Sequence, residues 1–110
     1  MAYDERLAER IRAALPDGAD VRERKMFGGI AWMLDGNMAC GIMDGDALLA
    51  RVGPDAADDA LEEPHTRPAQ MGERTMKGYV VVGADAIASA EALQAWVDRS
   101  VAFAETLPPK

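Results

Sequence analysis

A single cysteine, Cys40, and a single histidine, His65, supply all the thiol and imidazole in this 110-residue chain. One cysteine excludes an intramolecular disulfide framework and any multi-cysteine metal site, and one histidine excludes a histidine-rich one. No metal and no cofactor is therefore expected, and a reducing compartment, the cytoplasm, suits the chain best. Long apolar runs are also missing. Residues 30–34 and 80–82 are both cut short far below the ~20 residues that a bilayer-spanning helix needs. The opening MAYDERLAERIRAAL is charged throughout and holds no signal-peptide core. Neither secretion nor a membrane role is expected. Positive charge is in deficit as well, with 12 Lys and Arg against 19 Asp and Glu and a formal net charge of −7. That field repels phosphate backbones and anionic lipid at long range, so direct nucleic-acid binding is not expected.

Phosphate and metal motifs are absent too. Gly28-Gly29 lacks the spacing of a P-loop or of a GxGxxG fingerprint, and it stands ahead of strand-like sequence rather than a helix N-terminus. The acidic run PDAADDALEE lacks the alternating ligands and glycine turn of a DxDxDG calcium loop, and reads as a solvated acidic helix opened by Pro54, with Leu61 as its anchor.

What is present is an ordered chain, 49% hydrophobic and 28% charged, long enough for one core and therefore one domain over residues 1–110. Tyr3, Leu7, Ile11 and Leu15 recur every fourth residue and predict an amphipathic helix that Pro16-Asp17-Gly18 stops. The stretch KMFGGIAWMLDGNMACGIMDG then concentrates five of the ten glycines and four of the seven methionines. Ile30, Trp32 and Leu34 alternate, Asp35-Gly36-Asn37 supplies a tight hairpin loop, and Met38, Cys40 and Ile42 alternate again. After Asp44-Gly45-Asp46, residues 47–52 complete a three-stranded antiparallel meander. Gly28-Gly29 is read as a bulge or kink in the first strand, and Gly41 as room for something lying close on the sheet, with methionines filling the gaps. Apolar residues on both strand faces predict that both are at least partly covered.

PHTRPAQMGERTMKG is the least regular part: Pro64 and Pro68 interrupt it, and MGERTMKG is read as an edge strand. Tyr79 to Val82 predicts a further strand. A last helix, from about Ser89 to Leu107, carries Leu93, Trp96, Val97, Ser100, Ala104 and Leu107 on one stripe before Pro108-Pro109. The expected fold is α+β, a five-stranded antiparallel sheet in two layers with helices, in the order α-β-β-β-α-β-β-α.

RERKMFGGIAWMLDGNMACGIMDGDALLARV, PHTRPAQM, MKGYVVV and the terminal ALQAWVDRSVAFAETLPPK together resemble the N-terminal domain of the TfoX/Sxy family. Its most specific parts are Met26-Phe27-Gly28-Gly29, the hairpin Gly36, Met76-Lys77-Gly78-Tyr79 and Trp96. The family's namesakes regulate natural competence and carry a second, C-terminal domain that has no counterpart before Lys110. The resemblance implies a stand-alone domain of this type, with a two-layer α+β fold also seen in secretion-chaperone-like proteins, and brings no catalytic residues with it.

The candidate functional residues are basic. Arg24, Lys25, Arg51, Arg67, Arg74 and Lys77 come from the predicted sheet and the proline-rich turn, whereas acids concentrate in the helices. If these six share one face, it suits an acidic protein surface or phosphate. Otherwise they are scattered charges in weak pairs with residues such as Glu23 and Glu73. Arg51, at a strand centre, needs a solvent face or a partner. The reading favoured is a non-enzymatic regulatory or interaction module that binds a protein partner, a homodimer being the other arrangement considered. The alternative is a small-ligand or nucleic-acid binder using the same basic residues. An enzyme comes third, since Cys40 with His65 is the only nucleophile–base pair on offer, and a mid-strand cysteine is expected to be a buried structural thiol.

Overall fold

Asp4 begins the first helix because its carboxylate accepts from the free backbone amides of Arg6 at 2.8 Å and Leu7 at 3.4 Å, an N-cap worth about 1 kcal/mol. The computed structural model describes residues 3–17, 20–26 and 29–109. Helix α1 (Glu5–Ala14) buries Leu7, Ala8 and Ile11 and ends where Leu15 turns extended ahead of Pro16. Then follow β1 (Val21–Met26), β2 (Gly29–Leu34), β3 (Asn37–Met43), β4 (Ala47–Arg51), α2 (Pro54–Ala60), β5 (Thr66–Met71), β6 (Arg74–Val82), a 3-10 turn (Ala84–Ile87) and α3 (Ala90–Glu105). All neighbours pair antiparallel, in the spatial order β1-β2-β3-β4-β6-β5.

The α+β class and the helix positions agree with the sequence, but the sheet has six strands rather than five. The added one is β1, whose VRERKM has too little apolar alternation to announce a strand. It forms by backbone pairing along an edge, from Val21 opposite Leu34 to Met26 opposite Gly29. Gly29 therefore opens β2 and is not a bulge inside a strand, while Phe27 and Gly28 lie outside the described residues. The second edge also differs from expectation. TRPAQM, expected to be irregular, is β5, and MGERTMKG is Met71 at the end of β5, the Gly72-Glu73 turn and the first half of β6. Pro68 is tolerated because β5 has a neighbour on one side only, and the register shifts just beyond it.

The loop after β2 is as read. Asp35 (φ 51°) and Gly36 (φ 84°) both adopt the left-handed conformation that a two-residue hairpin turn needs. Asn37 already belongs to β3. It is buried, and its amide Nδ2 donates to the Pro108 carbonyl at 2.9 Å, pinning the end of the chain across the sheet.

All three helices join one core on one face of the sheet. Leu7 and Ile11 of α1, Ala57 and Ala60 of α2, and Leu93, Trp96, Val97, Val101 and Ala104 of α3 pack with Ile30, Trp32, Cys40, Ile42, Leu48, Val80 and Val82. Helix α3 starts at Ser89, whose hydroxyl caps the Ala92 amide. Ser100, fully buried on its apolar stripe, satisfies its hydroxyl by donating to the Trp96 carbonyl at 3.1 Å. Arg99 lies over the Trp96 ring, 4.0 Å from its centroid. The acids Asp55, Asp58 and Asp59 of α2 are exposed, as expected of a solvated acidic helix.

Candidate functional site

Strand register decides which side chains meet, because alternate residues along a strand face opposite sides and cross-strand partners share a side. One row runs straight across the sheet: Arg24, Ala31, Gly41, Leu49, Val81 and Arg67. The next row, Lys25, Ile30, Ile42, Leu48, Val82 and Thr66, supplies core residues under the helices. The first row therefore belongs to the opposite face. There Ala47, Leu49, Ala69 and Val81 form a second apolar cluster, with half-buried Met38, Met43, Met76 and Tyr79 packed against it and no helical residue among them. Met33, opposite both Arg22 and Met38, joins the same side.

The expectation that both faces are covered thus resolves unequally. Helices cover one face, and the other is covered by its own methionines. Gly41 shows how. A Cβ there would stand 2.7 Å from the Ile30 carbonyl oxygen and 3.2 Å from the terminal methyl of Met38. What lies close on Gly41 is the adjacent strand's backbone and a methionine end from its own strand, which a flexible thioether can fold into such a hollow.

Charge is sorted between layers. Of the 19 acidic residues only Glu23 lies in a strand, whereas seven of the 12 bases do: Arg22, Arg24, Lys25, Arg51, Arg67, Arg74 and Lys77. Register puts Arg22, Arg24 and Arg67 on the helix-free side, with Arg51 opposite Tyr79 and Arg74 two residues from Met76 on the same side. Lys25 belongs to the helix-side row, and Lys77, adjacent to Met76, alternates away. Four of the six candidate residues thus share a face. They stand at its margins rather than in one cluster, since Arg24 and Arg67 are separated by five strand spacings, about 24 Å. Arg22 is a fifth arginine on this face that the sequence did not single out; its signal was its place two residues before Arg24.

The arginines differ in what holds them. Arg51 is half-buried, donates to the Met38 carbonyl at 3.3 Å, and lies 5.4 Å from the ring centroids of both Tyr79 and Phe103. Among the described residues no carboxylate pairs with it, so its desolvated charge is met by π-faces and a carbonyl. Arg67 pairs with Asp44, and Arg22 with Asp20 at 3.2 Å; all four side chains are exposed, and such pairs contribute little, ~0–1 kcal/mol. Among the described residues, Arg24 and Arg74 have no ion-pair partner.

Glu23, on the helix side, is engaged otherwise. The Arg12 guanidinium hydrogen-bonds it and holds its carboxyl below the usual carboxylate range against the opposing effect of burial, and the Trp32 indole N–H, at 3.1 Å, adds a smaller push in the same direction as Arg12. Beside this trio lies an open recess of about 190 Å³ lined also by Leu15, Pro16, Asp17 and Val21, smaller than the roughly 300–1,000 Å³ usual for ligand pockets. Cys40 is fully buried under the helices, and burial pushes its thiol up to about 12. His65, by contrast, is exposed in the loop before β5, where its backbone carbonyl accepts from Gly83. The structure does not unite the two in a nucleophile–base pair. Among the described residues no three of His, Cys, Asp and Glu gather to hold a metal, and no helix is long and apolar enough to cross a membrane.

Of the sequence motif, Met26 closes β1, Gly29 opens β2, Gly36 makes the hairpin, Gly78 lies in β6 and Trp96 in the core of α3. No curated protein and no solved structure matches the chain. The model of the TfoX N-terminal domain, however, matches residues 13–104, from the end of α1 to the end of α3, and so takes in the whole sheet and both of its faces. The chain belongs to the TfoX N-terminal domain family.

Proposed function

We propose that this domain is a non-enzymatic interaction module that docks another protein on the helix-free face of its sheet. The observation that carries the reading is the contiguous surface of Met38, Met43, Met76 and Tyr79 over Leu49 and Val81, a cluster to which no helical residue belongs. Apolar patches of this kind mark interaction sites more often than scattered surface hydrophobes do, and methionine adapts its shape to a partner. A regulatory role exercised through such contacts is in keeping with the competence regulators that gave the family its name. The alternative, a nucleic-acid or small-ligand binder, rests on the arginines alone and leaves the apolar centre of the face unexplained.

The test places a photo-reactive side chain at Met43, on this face, or at the exposed Ala102 of α3, in the native host. A defined protein adduct at 43 with none at 102 is the expected result. Matching adduct patterns at both positions, or none at either, would refute the reading.

A further inference from the structure

We infer that the partner presents an amphipathic helical segment whose apolar stripe is bounded at both ends by carboxylates. The inference rests on the docking reading above and specifies the chemistry of the occupant. It follows from how charge and apolarity alternate across a single row. Arg24 stands at the β1 edge and Arg67 at the β5 edge, and between them lie only Ala31, Gly41, Leu49 and Val81, all buried and none polar. An occupant must therefore place apolar groups at the centre and negatively charged hydrogen-bond acceptors at each margin. A helix covers the intervening ~24 Å in about 16 residues.

Carboxylates suit the margins because an arginine fork accepts them in a planar, two-bond geometry. Arg67 already meets a carboxylate within the chain, through one contact to the exposed Asp44, a weak pair that a partner's carboxylate can replace. The net charge of −7 does not veto an acidic partner. The acids of α2 and α3 belong to the other layer, and charges beyond a Debye length of about 8 Å are largely screened in physiological salt.

Two other occupants fit less well. Single-stranded nucleic acid binds through stacked bases, and Tyr79 is the one aromatic that the described residues place on this face. A second copy docked face to face about a two-fold axis brings arginine margins together, and Glu23, the one strand acid, is turned to the helix side of each copy.

The probe is a designed 16-residue helical peptide with a Leu/Met stripe and Glu at both ends, compared with a twin ending in Lys. Each is titrated into the full chain while the backbone amides of Ala31, Gly41, Leu49 and Val81 are followed by NMR. The Glu-ended peptide should shift these amides and bind about tenfold more tightly, a ratio equivalent to about 1.4 kcal/mol. The double variant Arg24→Glu, Arg67→Glu should reverse the preference, and because both side chains are exposed, folding should be preserved.

Equal affinity of the two peptides at this face would overturn the acidic partner while leaving a docking face. Failure of the Glu-ended peptide to shift these amides also overturns it, and the adduct test at Met43 then decides separately whether the docking reading falls too. Tighter, steeply salt-dependent binding of an oligoribonucleotide at the same amides would assign the face to nucleic acid instead. Self-association abolished by Met43→Glu would assign it to a second copy.

Discussion

Replacing Gly53 with alanine tests the junction where the sheet hands over to α2. Gly53 holds φ 92° and ψ 153°, and its amide, like that of Val52, donates to the Gly78 carbonyl at 3.0 Å. An L-residue in that region costs about 1–3 kcal/mol in backbone strain. A Cβ there would also stand 2.5 and 2.6 Å from two carbons of the Phe103 ring. The ring must move, and forced repacking of this kind costs about 1–3 kcal/mol. Any such movement disturbs its contact with the Arg51 guanidinium, which it faces at 5.4 Å. The sum is about 4 kcal/mol, a large share of the ~5–15 kcal/mol that stabilises a typical domain. With an unfolding entropy near 2.1 cal/mol/K per residue, a chain of this length should melt about 15–20 °C lower. Circular dichroism melts and urea titrations of Gly53→Ala, Phe103→Ala and the double variant separate the two causes. Removing the ring relieves the clash but not the backbone strain, so the double variant should be more stable than additivity predicts by about 1–3 kcal/mol. A Gly53→Ala protein within about 1 kcal/mol of wild type, or a cycle additive within about 0.5 kcal/mol, would refute the reasoning.

Other perturbations have equally definite outcomes. Glu23 has its folded-state pKa lowered, so its contribution is present above the ordinary value of 4.5 and is lost as pH falls through the folded value; in acid titrations followed by tryptophan fluorescence, Glu23→Gln should shallow the decline of stability below that pH. The Cys40 thiol, pushed up to about 12 by burial, should resist alkylation at pH 8 in the native protein and react at the rate of global unfolding in urea, as measured by mass spectrometry. Arg51→Lys keeps the charge but loses the planar contact with Tyr79 and Phe103, and chemical denaturation should show a loss of about 1 kcal/mol. Asn37→Ala frees the Pro108 carbonyl, so hydrogen exchange at Thr106 and Leu107 should accelerate with a stability loss of about 1 kcal/mol.

The elements that the sequence made legible are those in which pattern and chemistry agree. α1 and α3 show a four-residue apolar repeat between recognisable caps, and Asp35-Gly36 is a hairpin dipeptide between alternating strands. The strands it hid are both edges. β1 forms through backbone bonds that leave no apolar trace in VRERKM, and β5 carries a proline that only an edge accepts. The site was harder to read than the fold for a related reason. Register shifts between Trp32 and Met33 and between Pro68 and Gln70 each reverse the parity of a strand, so no count along the sequence says which arginines share a side. Arg51, expected at a strand centre, is instead the last residue of β4, where a half-buried charge still needs an explanation. Its explanation, two aromatic faces and a carbonyl, depends on Phe103, which is 52 positions away in the chain.

The two hidden edges also govern how the protein behaves in a crowd. An open antiparallel sheet exposes unpaired amides and carbonyls along its outermost strands, and these can template the addition of a foreign strand, the first step of fibril growth. β1 answers with Arg22, Glu23, Arg24 and Lys25 in succession, all exposed, so an incoming strand must desolvate four consecutive charges. β5 answers with Pro68, which has no amide to offer, beside a register shift whose extra residues lie in its neighbour β6. Both edges thus carry features that oppose lengthening of the six-stranded sheet sideways.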